Sequence, residues 1–300
     1  MMSDQAAELR ARMAKTRVEE PVKLAKVIAV ASGKGGVGKS NFCVNFGLVL
    51  KQLGFRPIII DTDVGFANVE VLLGVRPSHS IVDVLAGSDI WDVLQETPYG
   101  LPFLSAGNGL TDIHSFSETD ISRLISSLRD LQSKFDIILI DSGAGMGSQT
   151  GRLLGAADEL VLVTTPEPTS ITDAYALLKM LAIQERVPST KLVVNRAAHL
   201  SIAKQAAEKL SLVAERFLNQ RLSVLGYILE DDALVEAVMA QRPLLAHAPN
   251  SKSARCYRQV GDNYLRTEAT VPRLGINAFL QRIFSRKADS GGDVDAGHSA

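Results

Sequence analysis

Val27-Ile28-Ala29-Val30-Ala31-Ser32-Gly33-Lys34-Gly35-Gly36-Val37-Gly38-Lys39-Ser40 runs from an apolar stretch into a glycine-rich octet ending on Lys39-Ser40. A helix-like stretch follows, from Asn41 to Leu53. Strand, glycine-rich loop and helix in this order form the context of a phosphate-binding loop. Glycines let backbone N–H groups turn inward around a polyphosphate, and the helix N-terminus adds a positive end. Lys39 is placed to meet the β- and γ-phosphates, and the Ser40 hydroxyl to hold Mg²⁺. The cradle runs from Gly33 through Lys34, Gly35, Gly36, Val37, Gly38, Lys39 and Ser40 to Asn41. Lys34, a second lysine inside the loop, is not part of the generic pattern.

Working outward, apolar runs of strand length recur between helix-length amphipathic segments. They fall at residues 27–31, 57–60, 136–140, 159–164, 191–194 and 223–228, with a shorter run at Leu101–Ser105. Near-continuous Val, Ile and Leu suits strands buried on both faces. Alternation with helices predicts an α/β fold, a doubly wound, mostly parallel sheet flanked by helices. The body spans residues 26–268 as one domain. An N-terminal extension, residues 1–25, precedes it and is set off by Glu19-Glu20-Pro21. A helix-prone segment, 269–287, follows, and a Gly/Asp/Ser-rich tail, 288–300, is expected to be disordered.

The bulk composition excludes several classes. Apolar residues make up 46% and charged residues 22% of the 300, ordinary for a globular chain. A net charge of −1 gives no global pull towards nucleic acid or membrane, so such binding must come from local patches. Cys43 and Cys256 stand far apart and make neither a disulfide framework nor a CxxC pair. Cys43 falls in the apolar pattern after the loop and reads as a buried structural thiol. Residues 1–20 are charged throughout, unlike a signal peptide, and the apolar runs are too short to span a bilayer. A cytoplasmic location is the expectation.

A phosphate loop of this kind needs acids to place Mg²⁺ and water, because phosphoryl transfer depends on positioning and charge stabilisation. The second strand ends in Asp61-Thr62-Asp63, and the run Asp136-Ile137-Ile138-Leu139-Ile140 ends in Asp141. In an open parallel sheet the C-terminal strand ends form the ligand crevice, which brings all three acids beside the loop. Gly143, Gly145 and Gly147 follow Asp141 and give a backbone able to respond to a γ-phosphate.

With Lys34 beside Lys39, the Asp61–Asn68 segment and Asp141-Ser142-Gly143-Ala144-Gly145, the chain resembles the deviant Walker A ATPases of the MinD/ParA group over about residues 26–245. The resemblance implies ATP/ADP and Mg²⁺ as ligands and ATP hydrolysis as the activity. It implies that Lys34 reaches across a homodimer interface to the partner's nucleotide, that Asp63 orients the hydrolytic water, and that Asp61 and Asp141 serve the metal with Ser40. Asn195, after Leu192-Val193-Val194, is similar to the adenine-reading asparagine of the group, with Arg196 beside it. The group often carries a proline where this chain reads Gly226-Tyr227-Ile228-Leu229-Glu230-Asp231, which leaves Glu230 and Asp231 as weaker base contacts.

The chain ends narrow the resemblance. Asp4-Gln5-Ala6-Ala7-Glu8-Leu9-Arg10 is similar to the DQAxxLR motif of the FlhG family, MinD-like ATPases that control flagellar number and placement. The stretch from Pro166 to Ala176 is similar to that family as well. Asp4, Gln5, Leu9 and Arg10 would then bind an FlhF-type GTPase, with Gln5 the central residue for stimulating GTP hydrolysis. A flagellar C-ring protein or a flagellar transcription activator is a further implied partner. At the other end, Ile276, Phe279, Leu280, Ile283 and Phe284 share one helical face, and Arg282, Arg286 and Lys287 lie on or beside the other. That pattern fits a helix lying in the inner face of the cell membrane, and it equally fits a helix docked on the chain's own core. The group's similar basic-apolar helix favours reversible membrane association.

Two relatives of this reading compete. A MinD-type septum-positioning ATPase shares the body and the helix but normally lacks an extension such as residues 1–25. A ParA-type DNA-partitioning ATPase needs a basic surface, and specific nucleic-acid binding is not expected here. An iron–sulfur carrier needs cluster-ligating cysteines, which Cys43 and Cys256 do not supply.

Overall fold

The computed structural model describes residues 24–63, 68–105, 117–143, 145, 147–268 and 272–284. The expectations for Asp4, Gln5, Leu9 and Arg10, for Arg286 and Lys287 and for the 288–300 tail lie outside these residues.

Seven strands form one sheet: β1 (Lys26–Ala31), β2 (Pro57–Asp61), β3 (Phe103–Ser105), β4 (Ile137–Asp141), β5 (Glu159–Thr164), β6 (Ser189–Ala197) and β7 (Ser223–Leu229). Their order is β3-β2-β4-β1-β5-β6-β7, and every pairing is parallel. Every residue of β1, β2, β4 and β5 is buried, as expected of central strands covered on both faces. The short run at 101–105 is indeed a strand, and it closes one edge.

The helices are α1 (Lys39–Gln52), α2 (Asn68–Leu73), α3 (Ile81–Leu85), α4 (Ile90–Val93), α5 (Glu118–Lys134), α6 (Ser148–Ala156), α7 (Pro168–Ile183), α8 (Leu200–Leu218), α9 (Asp232–Met239), α10 (Leu244–His247), α11 (Lys252–Glu268) and α12 (Gly275–Phe284). Strand residues alternate between two cores, as a period of two requires. Val27, Ala29, Ile58, Ile138 and Ile140 face the core shared with α5 to α8 and α12. Ile28, Val30, Ile59, Leu139 and Val161 face the core shared with α1 and α9 to α11. The sheet is therefore doubly wound. Since β1 has β4 on one side and β5 on the other, the chain switches direction at the C-terminal end of β1, where α/β sheets of this kind hold ligands.

Helix α1 starts at Lys39, two residues before the pattern suggests, because Gly38 takes the N-cap and the polar Lys39-Ser40 pair forms the first turn. Helix α12 packs its apolar stripe on α5, α6 and β1. Ile276, Phe279 and Leu280 are buried, and Ile283 and Phe284 are half-buried against the same core. The face expected to meet a membrane is thus covered by the body in this conformation. Among the described residues no helix is long and apolar enough to cross a membrane.

Candidate nucleotide site

Loop 33–40 sits at the end of β1, and the register explains how the acids reach it. Val30 pairs with Asp141, and Asp61 pairs with Asp141 from the other side, so two carboxylates stand on adjacent strand ends. Lys39 Nζ donates to Asp141 Oδ1 at 2.8 Å and lies 3.9 Å from Asp63 Oδ2. Thr62 ties the two strand ends together, donating from its N–H and its hydroxyl to the Asp141 carbonyl at 2.9 and 3.0 Å. Asp61 accepts from the N–H of Asp63 at 3.0 Å and of Val69 at 3.4 Å, which fixes the start of α2. Asn68 donates to Asp63 Oδ2 at 3.3 Å.

Asp61 and Asp141 are buried, and Lys39 is the cation beside them, paired with Asp141 and Asp63. Burial raises the Asp61 carboxyl to about 7, with the Asp141 charge adding to it and the N–H donors and Lys39 opposing. Burial likewise pushes Asp141 up, against the pull of Lys39 and a Ser40 hydrogen bond. Asp141 Oδ2 has no hydrogen-bond partner among the described residues. The cluster has more negative charge than Lys39 offsets, as a site built for a further cation requires.

Gly35, Gly36, Gly38, Lys39, Ser40, Asn41 and Asp63 line a cleft of about 600 Å³. Val37 is buried beneath the loop, and its carbonyl accepts from Asn195 Nδ2 at 2.8 Å. Gly38 has φ 88°, and a Cβ there would lie 2.4 Å from Asn195 Nδ2, so only glycine allows this approach. Arg196 donates to the Gly36 carbonyl at 3.2 Å. Asn195 and Arg196 therefore brace the loop from behind. Asn195 Oδ1 is buried and has no hydrogen-bond partner among the described residues.

Lys34 is placed differently from Lys39. It is 40% exposed and points away from the acids, with Nζ 2.9 Å from Glu167 Oε2 and 3.2 Å from the Thr169 hydroxyl. Its carbonyl accepts from the Ser32 hydroxyl. Glu167 stands at the N-cap position of α7, just before Pro168 and after β5, with no capping hydrogen bond from its side chain. Its role was legible only as a position, an acid before a helix-starting proline at a strand end; its partner was not.

Asp231 has a structural task. It caps α9 through the Ala233 N–H and accepts from the N–H and hydroxyl of Ser253, joining α9 to α11. Cys43 is buried as expected, and burial pushes its thiol up.

The residues fit a bound nucleotide and Mg²⁺. Among the described residues no three His, Cys, Asp or Glu converge as a protein-only metal centre. Mg²⁺ normally keeps several waters and takes one or two carboxylates besides substrate phosphates. Ser40 with Asp61 and the orphaned oxygen of Asp141 matches that need. Bound there, the ion would neutralise charge developing on the phosphates. Lys39 and the loop N–H groups would meet the phosphates, and Asp63 stands at the cleft wall, where a water would lie.

Comparison with known proteins agrees. The ParA family model, described as a NUBPL iron-transfer P-loop NTPase, matches residues 23–265. The antiactivator FleN of Pseudomonas aeruginosa is 35% identical over 88% of this chain and 95% of its own length. The flagellum site-determining protein YlxH of Helicobacter pylori is 31% identical over 86% and 89%. The MinD chain in the MinC:MinD complex of Aquifex aeolicus superposes with a TM-score of 0.66 at 25% identity, covering 81% of this chain and 96% of that one. MinD of Pyrococcus horikoshii with Mg-ADP superposes at 0.65 over 82% and 98%, at 23% identity. The chain belongs to the ParA family of P-loop NTPases, in its MinD-like part, alongside the flagellar proteins FleN and YlxH.

Proposed function

We propose that this chain is a MinD-like ATPase switch that regulates flagellar number and placement, dimerising on ATP and releasing on hydrolysis. The observation that carries the switch is the separation of the two loop lysines. Lys39 is committed to its own acids, whereas Lys34 is held at the surface by Glu167, in an exposed pair that solvent and salt screen. So weak a hold is readily exchanged for the phosphates of a second subunit's nucleotide. In solution, Lys34→Ala should keep monomer nucleotide affinity within about threefold and lose any ATP-dependent doubling of mass in light scattering.

Helix α12 is the second moving part. Fully burying Ile276, Phe279 and Leu280 is worth ~1.5–3 kcal/mol each in gross terms. Release must therefore be driven by a comparable gain elsewhere. Its groove keeps a small apolar cavity of about 50 Å³, lined by Ile60, Thr62 and Ile140 among others. These three residues adjoin Asp61 and Asp141, so a shift of the metal-side acids is felt at the floor of the groove. In our reading, ATP and Mg²⁺ loosen α12, and two freed helices on one dimer add through effective concentration at the inner face of the membrane.

The flagellar assignment rests on FleN and YlxH, whose names describe an antiactivator and a flagellum site-determining protein. A flagellar transcription activator or C-ring protein is a fitting partner, and Asp4, Gln5, Leu9 and Arg10 address an FlhF-type GTPase. A peptide of residues 1–20 should accelerate GTP hydrolysis by such a GTPase, and the Gln5→Ala peptide should not. No acceleration by the parent peptide would sink this part of the assignment.

A further inference from the structure

Thr62 stands between two site acids in Asp61-Thr62-Asp63, yet its side chain serves another face. Along β2, Ile58 and Ile60 face the core beneath α12, and a period of two sends Thr62 to the same side. There it lines the cavity of about 50 Å³ together with Ile60, Ile140 and Leu153 of the body and Phe279 and Leu280 of α12. The cavity wall is apolar throughout, so Thr62 meets it with its methyl group and not with its hydroxyl.

The hydroxyl is engaged on the nucleotide side. It donates to the Asp141 carbonyl at 3.0 Å, alongside the Thr62 N–H at 2.9 Å. Asp141 in turn accepts from Lys39 at 2.8 Å. A β-branched side chain has few χ1 wells, so a hydroxyl fixed on one partner also fixes the methyl. One side chain therefore spans both places, with its oxygen on the strand end that carries Asp141 and its methyl at the seat of α12. The cavity leaves that methyl room to turn, which a close-packed interior would not.

We propose that Thr62 is the positioning residue that couples the nucleotide acids to the docking of α12. A displacement of the Asp141 strand end turns the Thr62 side chain and moves its methyl in the cavity beneath Phe279 and Leu280. In the reverse direction, departure of α12 removes the packing around that methyl and loosens the bonds to the Asp141 carbonyl. The proposal deepens our functional reading, on which it rests only for nucleotide as the displacing agent.

Hydrogen exchange at single amides of the full chain tests it in two arms. Without nucleotide, Phe279→Ala opens the cavity, and the Thr62 amide should exchange about tenfold faster, within the usual range of coupling between sites. Amides of β6 should be unchanged. In the second arm, Mg²⁺ and a non-hydrolysable ATP analogue should speed exchange at 276–284 of the parent chain by a similar factor, about tenfold. Thr62→Val keeps a methyl but loses the hydroxyl, and Thr62→Ser keeps the hydroxyl but loses the methyl. Each breaks one end of the link, so both should cut the response to about twofold or less. A role in holding Asp141 alone would spare the response in Thr62→Ser, and a role in packing alone would spare it in Thr62→Val. A parent-like response in either variant overturns the coupling, as does an unchanged Thr62 amide in Phe279→Ala. A faster Thr62 amide there, with no nucleotide response in the parent chain, supports the coupling and contradicts nucleotide-driven release of α12 instead.

Discussion

Both poles of the sheet bury charge, and they do so in opposite ways. At the C-terminal pole, Lys39 stands among Asp61, Asp63 and Asp141, and one buried carboxylate oxygen has no partner among the described residues. At the N-terminal pole, Glu159 lies between Lys26 at 3.0 Å and Lys191 at 3.5 Å, all three side chains buried. The ring of Tyr264 closes that cluster, 5.2 Å from the Lys26 ammonium and 4.7 Å from that of Lys191. Arg273 pairs with Glu268 close by. One pole is left short of positive charge, and the other is supplied with it. The contrast separates a cluster with acids in excess from a network that holds strands and α11 together.

The comparison can be broken at either pole. The largest expected effect is at the closed one: Glu159→Ala leaves two buried lysines unpaired and should destabilise the fold by ~3–5 kcal/mol. Denaturant unfolding would measure it, and nucleotide affinity of the folded fraction should be unchanged. At the open pole, Lys39→Ala should lower nucleotide affinity by about a hundredfold or more, roughly the worth of a charge-assisted contact to phosphate. Titration with a fluorescent ATP analogue would show it.

A smaller effect carries a sign. The folded Asp61 carboxyl titrates at about 7, above its ordinary range. Between about pH 4 and pH 7 the folded state therefore binds more protons than the unfolded one, and stability falls as pH rises through that window. Asp61→Asn should raise stability at pH 8 by ~1–3 kcal/mol and have little effect at pH 4. Because the ionised form suits a cation, Mg²⁺-nucleotide binding by the parent chain should tighten as pH rises towards 7, with proton release visible by calorimetry in buffers of different ionisation enthalpy.

Much of the open pole was legible in the sequence. The loop, Lys34, and acids at the ends of apolar runs are local patterns, and a parallel sheet forces strand ends to one side. What could not be read was register. Only the pairing of β2 and β1 with β4 sets Asp61 against Asp141 and brings Asp141 to Lys39. The closed pole left almost no trace, because Lys26, Glu159 and Lys191 are far apart in the chain and each looks like a solvated strand flank. The Lys34–Glu167 pair was hidden for the same reason. Helix α12 was ambiguous for another: membrane and core demand the same apolar stripe, and only contacts with α5, α6 and β1 distinguish them.

The central claim is that the open pole is an ATP-switched dimer site, and Asp63 tests it most directly. Asp63 lines the cleft without being the main partner of Lys39, so Asp63→Ala should still bind ATP while losing the residue to which the family resemblance gives the water-orienting role. Light scattering of that variant with ATP and Mg²⁺ should show a stable doubling of mass that ADP does not produce. A mass that stays monomeric with ATP bound would contradict the account.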